Sequence, residues 1–418
     1  MRNLMRSARA AVAAGALVLA GCDDWLTVPS PTVIDADALD PVADAELLSK
    51  SAEQNFKHAY GWLIMYSSWF VGETDVSETF PTRNEFGRRD ITIQNASLSG
   101  DVWFPLSQTV VSAYLVLNAA LPNPSANISY VRAHLFLAYS YVFMAEHFCQ
   151  GAVLAGPPLT TADMLDSAIA HFNDVITQGT AVGGALATSY VNAARVGLAR
   201  AHLQDGNGAA ATTAASSVPA GFTFNLTYID DLAYRTRLAN RMWQFVRDRG
   251  SIAVAPVWRT TDTRVPWALG SAFSPAYVPQ DAAYASDRGI PYAIQRKFPD
   301  YNVPIRLASR LEADYIIAEV AGTAAQLTLI DQRRAAGGQA AYSGPTDAAS
   351  VLTEFFTQRG FDFYLEGKRL GDFRRAPSSI IGVPVAGATY WKPGFAPVAS
   401  NTCYPLPITE TDNNPNFP

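Results

Sequence analysis

The run Gln358-Arg359-Gly360-Phe361-Asp362-Phe363, continued by Glu366-Gly367-Lys368-Arg369 and Asp372-Phe373-Arg374-Arg375, interleaves cations, acids and phenylalanines. Helix-favouring residues run through it, which predicts a long helix over 347–374. On that helix Asp362 and Glu366 lie four apart, and Glu366 and Arg369 three apart, so they share a face. Two chemistries fit such a face. Paired carboxylates suit acid–base work. Alternating acids and cations suit a structural ion network that joins a last helix to the helices before it.

Outward from this block the same helical spacing recurs. Upstream, Leu307, Leu311, Ile316 and Ala318 mark a helix over 304–321, which 326–336 continue. Farther back, helices are predicted at 42–70, 102–120, 130–148, 162–177, 189–204 and 207–217. Ala168 and Phe172 lie four apart, as do Gly197 and Ala201, so each pair sits on one face. Residues 163–217 alternate like a helix-turn-helix repeat. The predicted fold is mainly all-α, a tetratricopeptide-like repeat scaffold over about 42–220 and 304–375. Between these parts, 221–303 form a loop-rich insert with short strands near 222–226, 253–257 and 292–298. Residues 376–418 read as an irregular, proline-rich tail. Residues 71–102 are polar and turn-rich, and a loop of that length inside a helical domain is functional or disordered.

At the N-terminus, Arg2, Arg6 and Arg9 precede an apolar run that ends in Leu19-Ala20-Gly21-Cys22. Charge, apolar run and small residues in that order make a secretory signal, residues 1–21. The run is about half the roughly 20 residues that a membrane-spanning helix needs. Leu-Ala-Gly before cysteine resembles the bacterial lipobox, in which Cys22 is acylated. Residues 22–41, with three prolines and several acids, read as a tether.

Composition narrows the function. The 418 residues are 49% hydrophobic and 11% aromatic, a globular composition. The formal charge of −6, without a basic block, argues against nucleic acid. Cys149 and Cys403 are left either as a disulfide in an oxidising compartment or as two buried thiols. Neither has a second ligand at finger-like spacing. His58, His134, His147, His171 and His202 show no i, i+4 pair, so all read as core or helix-surface residues and no metal is expected. The Gly206-x-Gly208-x-x-Ala211 match follows a predicted helix, not a strand, so it reads as a helix end rather than a dinucleotide site. No cofactor is expected.

Several of these blocks together resemble the SusD/RagB family of outer-membrane nutrient-binding lipoproteins. They are the lipobox with Asp23-Asp24-Trp25-Leu26, the aromatic helix Arg132-Ala133-His134-Leu135-Phe136-Leu137-Ala138-Tyr139, and Val303-Pro304-Ile305-Arg306-Leu307-Ala308 with Glu312 and Tyr315. The block at 358–375 is the most specific, although Gln358 stands where the family usually has an acid. Tyr404-Pro405-Leu406-Pro407-Ile408-Thr409-Glu410 and Asn413-Asn414-Pro415-Asn416 complete the set.

The resemblance implies four tetratricopeptide-like helix pairs with a loop-rich insert, no catalysis, and packing as the use of the 358–375 block. It implies a SusC-like TonB-dependent barrel transporter as partner, and an oligosaccharide, or in some members a peptide, as ligand. Asp23 and Asp24 resemble the acidic stretch that marks surface export, so an outer-membrane lipoprotein anchored by lipid and facing the exterior is expected.

In the family, ligand is held where the loop after the first helix meets the insert. Sugar rings have apolar faces and hydroxyl rims, so aromatic platforms beside carboxylate and guanidinium groups suit them. The candidates are Trp69, Glu73, Asp75 and Arg83 in the first region, and Trp258, Trp267, Tyr277 and Tyr284 in the second. The alternative for each is that it merely packs its loop. Trp103, at helical spacing with Leu106 and Val110, reads as core. Two other classes stay open: a tetratricopeptide scaffold for envelope proteins, and an exported glycoside hydrolase with paired acids.

Overall fold

A computed structural model describes residues 39–270, 287, 292–412 and 414–417. The signal, Cys22, most of the tether, Tyr277 and Tyr284 lie outside them. The chain divides into two units, Met1–Asp44 and Ala45–Pro418. In the described end of the first, the Asp40 carboxylate accepts the backbone N–H groups of Val42 and Ala43.

The second unit is mainly helical. Helix α1 (Ala45–Phe70) is followed by strand β1 (Thr74–Val76) and helix α2 (Pro81–Gly87). A π-helical turn over Leu98–Trp103 leads into α3 (Phe104–Leu117), then α4 (Ile128–His147), α5 (Thr161–Val182), α6 (Gly184–Gln204) and α7 (Gly208–Ser216). Each of α3 to α7 packs on the next, as antiparallel helix pairs do. Small residues set the spacing. A Cβ on Gly197 would lie 2.2 Å from the Phe172 ring, so glycine lets α6 close on α5. Gly206, at φ +79°, ends α6, and the Asn207 side chain caps α7. Among the described residues, no helix is long and apolar enough to cross a membrane.

The insert holds short antiparallel strand pairs. Strand β2 (Thr223–Leu226) pairs with β6 (Ile305–Ser309), β3 (Ile252–Val254) with β1, and β4 (Trp267–Leu269) with β5 (Ala293–Gln295). The predicted helix at 304–321 is therefore a strand and then α8 (Arg310–Ala321). Ile305 and Leu307 alternate into the core, and Ser309 caps α8 by accepting the Glu312 N–H. Gly322, at φ +88°, separates α8 from α9 (Thr323–Ala336).

The predicted helix over 347–374 is also broken. Helix α10 (Ala348–Asp362) stops, and α11 (Arg369–Arg375) starts after a tight turn. Leu365 and Gly367 take left-handed φ values of 55° and 66°, which no helix continues through. Asp362 and Glu366 are thus not stacked on one helix face, which removes the paired-carboxylate reading. Asp362 accepts from Arg333 at 2.8 and 2.6 Å and from the Tyr315 hydroxyl at 2.6 Å, with Arg264 3.2 Å away. Glu366 meets Lys297 at 2.7 Å and Arg306 at 2.9 Å. Burial alone would raise the Glu366 carboxyl, but Lys297, Arg306 and Lys368 hold it down at about 2.

A deeper ion cluster ties this block to the repeats. Arg200 of α6 pairs bidentately with Glu146 of α4, with one contact at 2.7 Å. Glu312 of α8 sits 3.8 Å from Arg200 and 3.3 Å from Lys368. All four side chains are at most 4% exposed. Removing one partner of a buried pair costs about 3–5 kcal/mol, because the other charge is stranded. Arg200→Met strands Glu146 and weakens the hold on Glu312, so it should destabilise the fold by that order in urea titrations. A loss below about 1 kcal/mol would show that the cluster is not a structural tie.

Candidate functional site

The tail that follows α11 does not trail away. Cys149, just after α4, is disulfide-bonded to Cys403, and Cys149 N–H and Tyr404 N–H bridge to Tyr404 and His147 carbonyls. Arg89 reaches the Pro384 and Asn401 carbonyls at 2.7 and 2.8 Å. Two glycines let the tail lie close. A Cβ on Gly72 would meet the Gly382 carbonyl at 2.2 Å, and one on Gly87 would meet the Tyr390 hydroxyl at 2.6 Å. The tail thereby forms one wall of a cleft whose other wall is β1 and the end of α1.

This cleft is shallow and open to solvent, with a cavity volume of about 180 Å³. Its lining includes Trp69, Asp75, Pro384, Val385, Tyr390 and Trp391. Trp69 is nearly fully buried, so it forms the deep wall, and its indole N–H has no protein acceptor. Buried donors are nearly always satisfied, so this one is an exception, and it presents no surface to the cleft. Trp391 is 40% exposed and offers a ring face near the mouth. Tyr390 is fixed by its hydroxyl, 3.1 Å from Asn84 Oδ1. Asp75 is half-buried. Its carboxyl is pushed up to about 6 by burial, against the opposing pull of Arg259 and Lys392. It is ionised at neutral pH and can accept hydroxyl hydrogen bonds.

Of the eight residues singled out in the sequence, the cleft brings together Trp69 and Asp75. Glu73 faces elsewhere: its carboxylate accepts the Leu365 N–H at 3.2 Å and its carbonyl accepts the Tyr364 hydroxyl at 3.2 Å. It braces the left-handed turn between α10 and α11. Arg83 is 6% exposed and spent on Glu78, at 2.6 Å, and on the Tyr66 hydroxyl, at 3.2 Å. Trp258 is 2% exposed, donates to the Gly72 carbonyl at 2.8 Å and lies under Arg369, so it packs the core and offers no platform. Gly360 is glycine because a Cβ there would meet that indole at 2.7 Å. Trp267 donates to the Thr260 carbonyl and does not line the cleft. Trp103 is core, at 1% exposure. Tyr390 and Trp391 were not singled out. They lie in the stretch that reads as an irregular tail, and the signal there was an aromatic pair between Gly387 and Gly394.

The Glu73 carboxyl is raised from 4.5 to about 7, chiefly by burial, with Arg369 and the Leu365 N–H opposing. Between those two values the folded chain keeps a proton that the unfolded chain releases, so stability falls as pH rises through that window. Glu73→Gln should abolish this slope. The wild type should lose roughly 3 kcal/mol relative to the variant between pH 4 and pH 8, as read from denaturant midpoints. Parallel pH profiles for the two proteins would contradict the assignment.

No protein-family model matches the chain, and no curated protein sequence is similar to it. Solved structures are similar in fold. A SusD superfamily protein from Bacteroides vulgatus is 14% identical, with a TM-score of 0.63 over 91% of this chain and 98% of that one. A laminarin-binding SusD-like protein is 13% identical, with a TM-score of 0.62 over 88% and 96%. The surface glycan-binding protein A from Bacteroides uniformis is 13% identical, with a TM-score of 0.60 over 90% and 98%. The likeness extends over nearly the whole of each chain, and this chain has the fold of the SusD superfamily.

Proposed function

We propose that this protein is an exported lipoprotein that captures an oligosaccharide in the cleft between β1 and the tail. It passes the ligand to a SusC-like TonB-dependent transporter in the outer membrane and performs no chemistry on it. The observation that carries this reading is the cleft's composition: a half-exposed indole, a carboxylate and a buried indole that together line it. A pyranose ring has an apolar face for Trp391 and hydroxyls for Asp75. Two proteins of similar fold are named for laminarin and glycan binding, which favours a sugar over a peptide.

The hydrolase alternative needs two carboxyl groups flanking one bond. Asp75 is the sole carboxylate among the described residues lining the cleft. Asp362 and Glu366 are consumed by arginine and lysine partners. Acylation of Cys22 would hold the protein at the membrane on the 22–41 tether. Tethering beside a transporter raises the effective concentration of captured ligand, so modest affinity suffices.

Calorimetric titration with a panel of oligosaccharides and peptides tests the proposal. Trp391→Ala should weaken the best glycan about tenfold, the equivalent of about 1.4 kcal/mol of lost stacking. Trp267→Ala should leave it unchanged. Affinity should fall as pH drops through about 6, where Asp75 takes up a proton, and Asp75→Asn should remove that dependence. Binding of peptides alone, or glycan binding indifferent to Trp391, would overturn the reading.

A further inference from the structure

Helices α4 and α5 bring together one side chain of the first and two of the second. His134 Nδ1 and His171 Nδ1 are 2.9 Å apart. Asp174, one turn after His171, places its Oδ2 3.6 Å from the first nitrogen and 3.9 Å from the second. An Nδ1···Nδ1 contact of this length needs one ring as donor and the other as acceptor, so the two lone-pair sites converge on one proton. Neither nitrogen is spent on a backbone carbonyl, the commonest fate of a structural histidine in a helix.

We propose that His134, His171 and Asp174 form a binding site for a late first-row divalent cation, zinc by preference, which cross-links α4 to α5. The point equidistant from the three ligand atoms lies about 2.0 Å from each, and zinc bonds imidazole nitrogen and carboxylate oxygen at about 2.0–2.2 Å. An ion there replaces the shared proton, and side-chain rotation that lifts it out of the plane of the three atoms opens the fourth, tetrahedral position. Two imidazoles and one carboxylate are ligands that zinc favours over magnesium or calcium, which prefer all-oxygen sites. Asp174 is about half exposed, so the ion has a route from solvent and room for a water as fourth ligand.

The surroundings agree. A metal-bound histidine almost always donates its other ring N–H to a fixed acceptor. Gln178, one turn beyond Asp174, puts its amide 3.5 Å from His134 Nε2 as nitrogen against nitrogen, while its Oε1 is buried without a partner. Exchanging the amide oxygen and nitrogen, which are assigned from the bonding pattern alone, turns the oxygen towards His134 Nε2 as an acceptor. It also fixes His134 as the tautomer whose Nδ1 lone pair faces the site. On the other side the Tyr141 ring lies parallel to His171 at 5.9 Å, and its hydroxyl is held 2.9 Å from that of Tyr114, so the His171 ring has a fixed seat. The site lies on α4 and α5, whereas the cleft is lined by α1, α2, β1 and the tail, so neither needs the other.

Titration of the metal-stripped full chain with zinc chloride, followed by calorimetry and by melting temperature, tests the site. One equivalent should bind and raise the melting temperature, and cobalt(II) should develop the visible absorption of a tetrahedral centre. Altering even a group that supports a metal ligand costs about 10–100-fold in affinity. Asp174→Asn, a change on the helix surface that leaves packing intact, should therefore weaken zinc at least about tenfold, and His171→Ala should abolish the cobalt band. His202→Ala, at a histidine outside the cluster, should change neither. Zinc binding by Asp174→Asn as tight as by wild type, or no stoichiometric binding by the wild type, would overturn the proposal.

Discussion

Charge buried at the junction of the repeats and the 358–375 block is the constraint that the rest of the structure depends on. Glu146, Arg200, Glu312 and Lys368 come from three helices and one turn, and none can reach water. Arg359 and Arg375 add a second group around Asp372, with Arg375 also pairing with Glu319 at 2.8 Å. A buried ion pair is weak evidence for net stability, since desolvation offsets much of the attraction. It is strong evidence for register, because any shift of α10, α11 or α8 along its axis strands a charge. The Glu312 carboxylate oxygens and Arg200 Nη1 have ion-pair neighbours but no hydrogen bond, which shows how narrow the margin is.

Register there determines where the ligand cleft can be. The turn between α10 and α11 carries the strained Leu365, whose N–H is taken by Glu73. That bond fixes the start of β1, two residues before Asp75. Trp258, in contact with Arg369 and Tyr364, donates to the Gly72 carbonyl and pins the same loop. The opposite wall is fixed separately, by the Cys149–Cys403 disulfide and by Arg89 on the tail carbonyls. A cross-link that closes a loop of 254 residues chiefly restricts the unfolded chain. Here it also sets the tail against β1, and with it Trp391.

Much of the architecture was legible from periodicity. Helices α1 and α3 to α7 fall close to their predicted spans, because each has an apolar face and small residues at its contacts. The strand at Ile305–Ser309 reads as helix in sequence because one buried face of alternating residues, followed by a helix, blurs into helical spacing over so short a run. The break at 363–368 was missed because its cause is a tertiary hydrogen bond from Leu365 to Glu73, which no local pattern records. The site divides in the same way. Trp69 and Asp75 flank the end of α1 and were recognisable as a polar, aromatic interruption. Glu73, Arg83 and Trp258 carry equally suggestive side chains, yet burial turns them inward. Residue type cannot separate a Trp that packs from a Trp that receives a ligand; only its neighbours can. The wall from the tail was hidden for the converse reason, since a proline- and glycine-rich segment becomes a binding surface only after the disulfide and Arg89 hold it down. His134 and His171 are 37 residues apart and became neighbours only through helix pairing.

The central claim is that ligand enters between β1 and the tail and not among the buried aromatics of the insert. A crystal structure of the protein grown with an oligosaccharide that it binds in solution tests this most directly. The predicted result is a sugar ring stacked on Trp391 with a hydroxyl on Asp75. A sugar bound with Trp391 free, at any other face of the molecule, would contradict it.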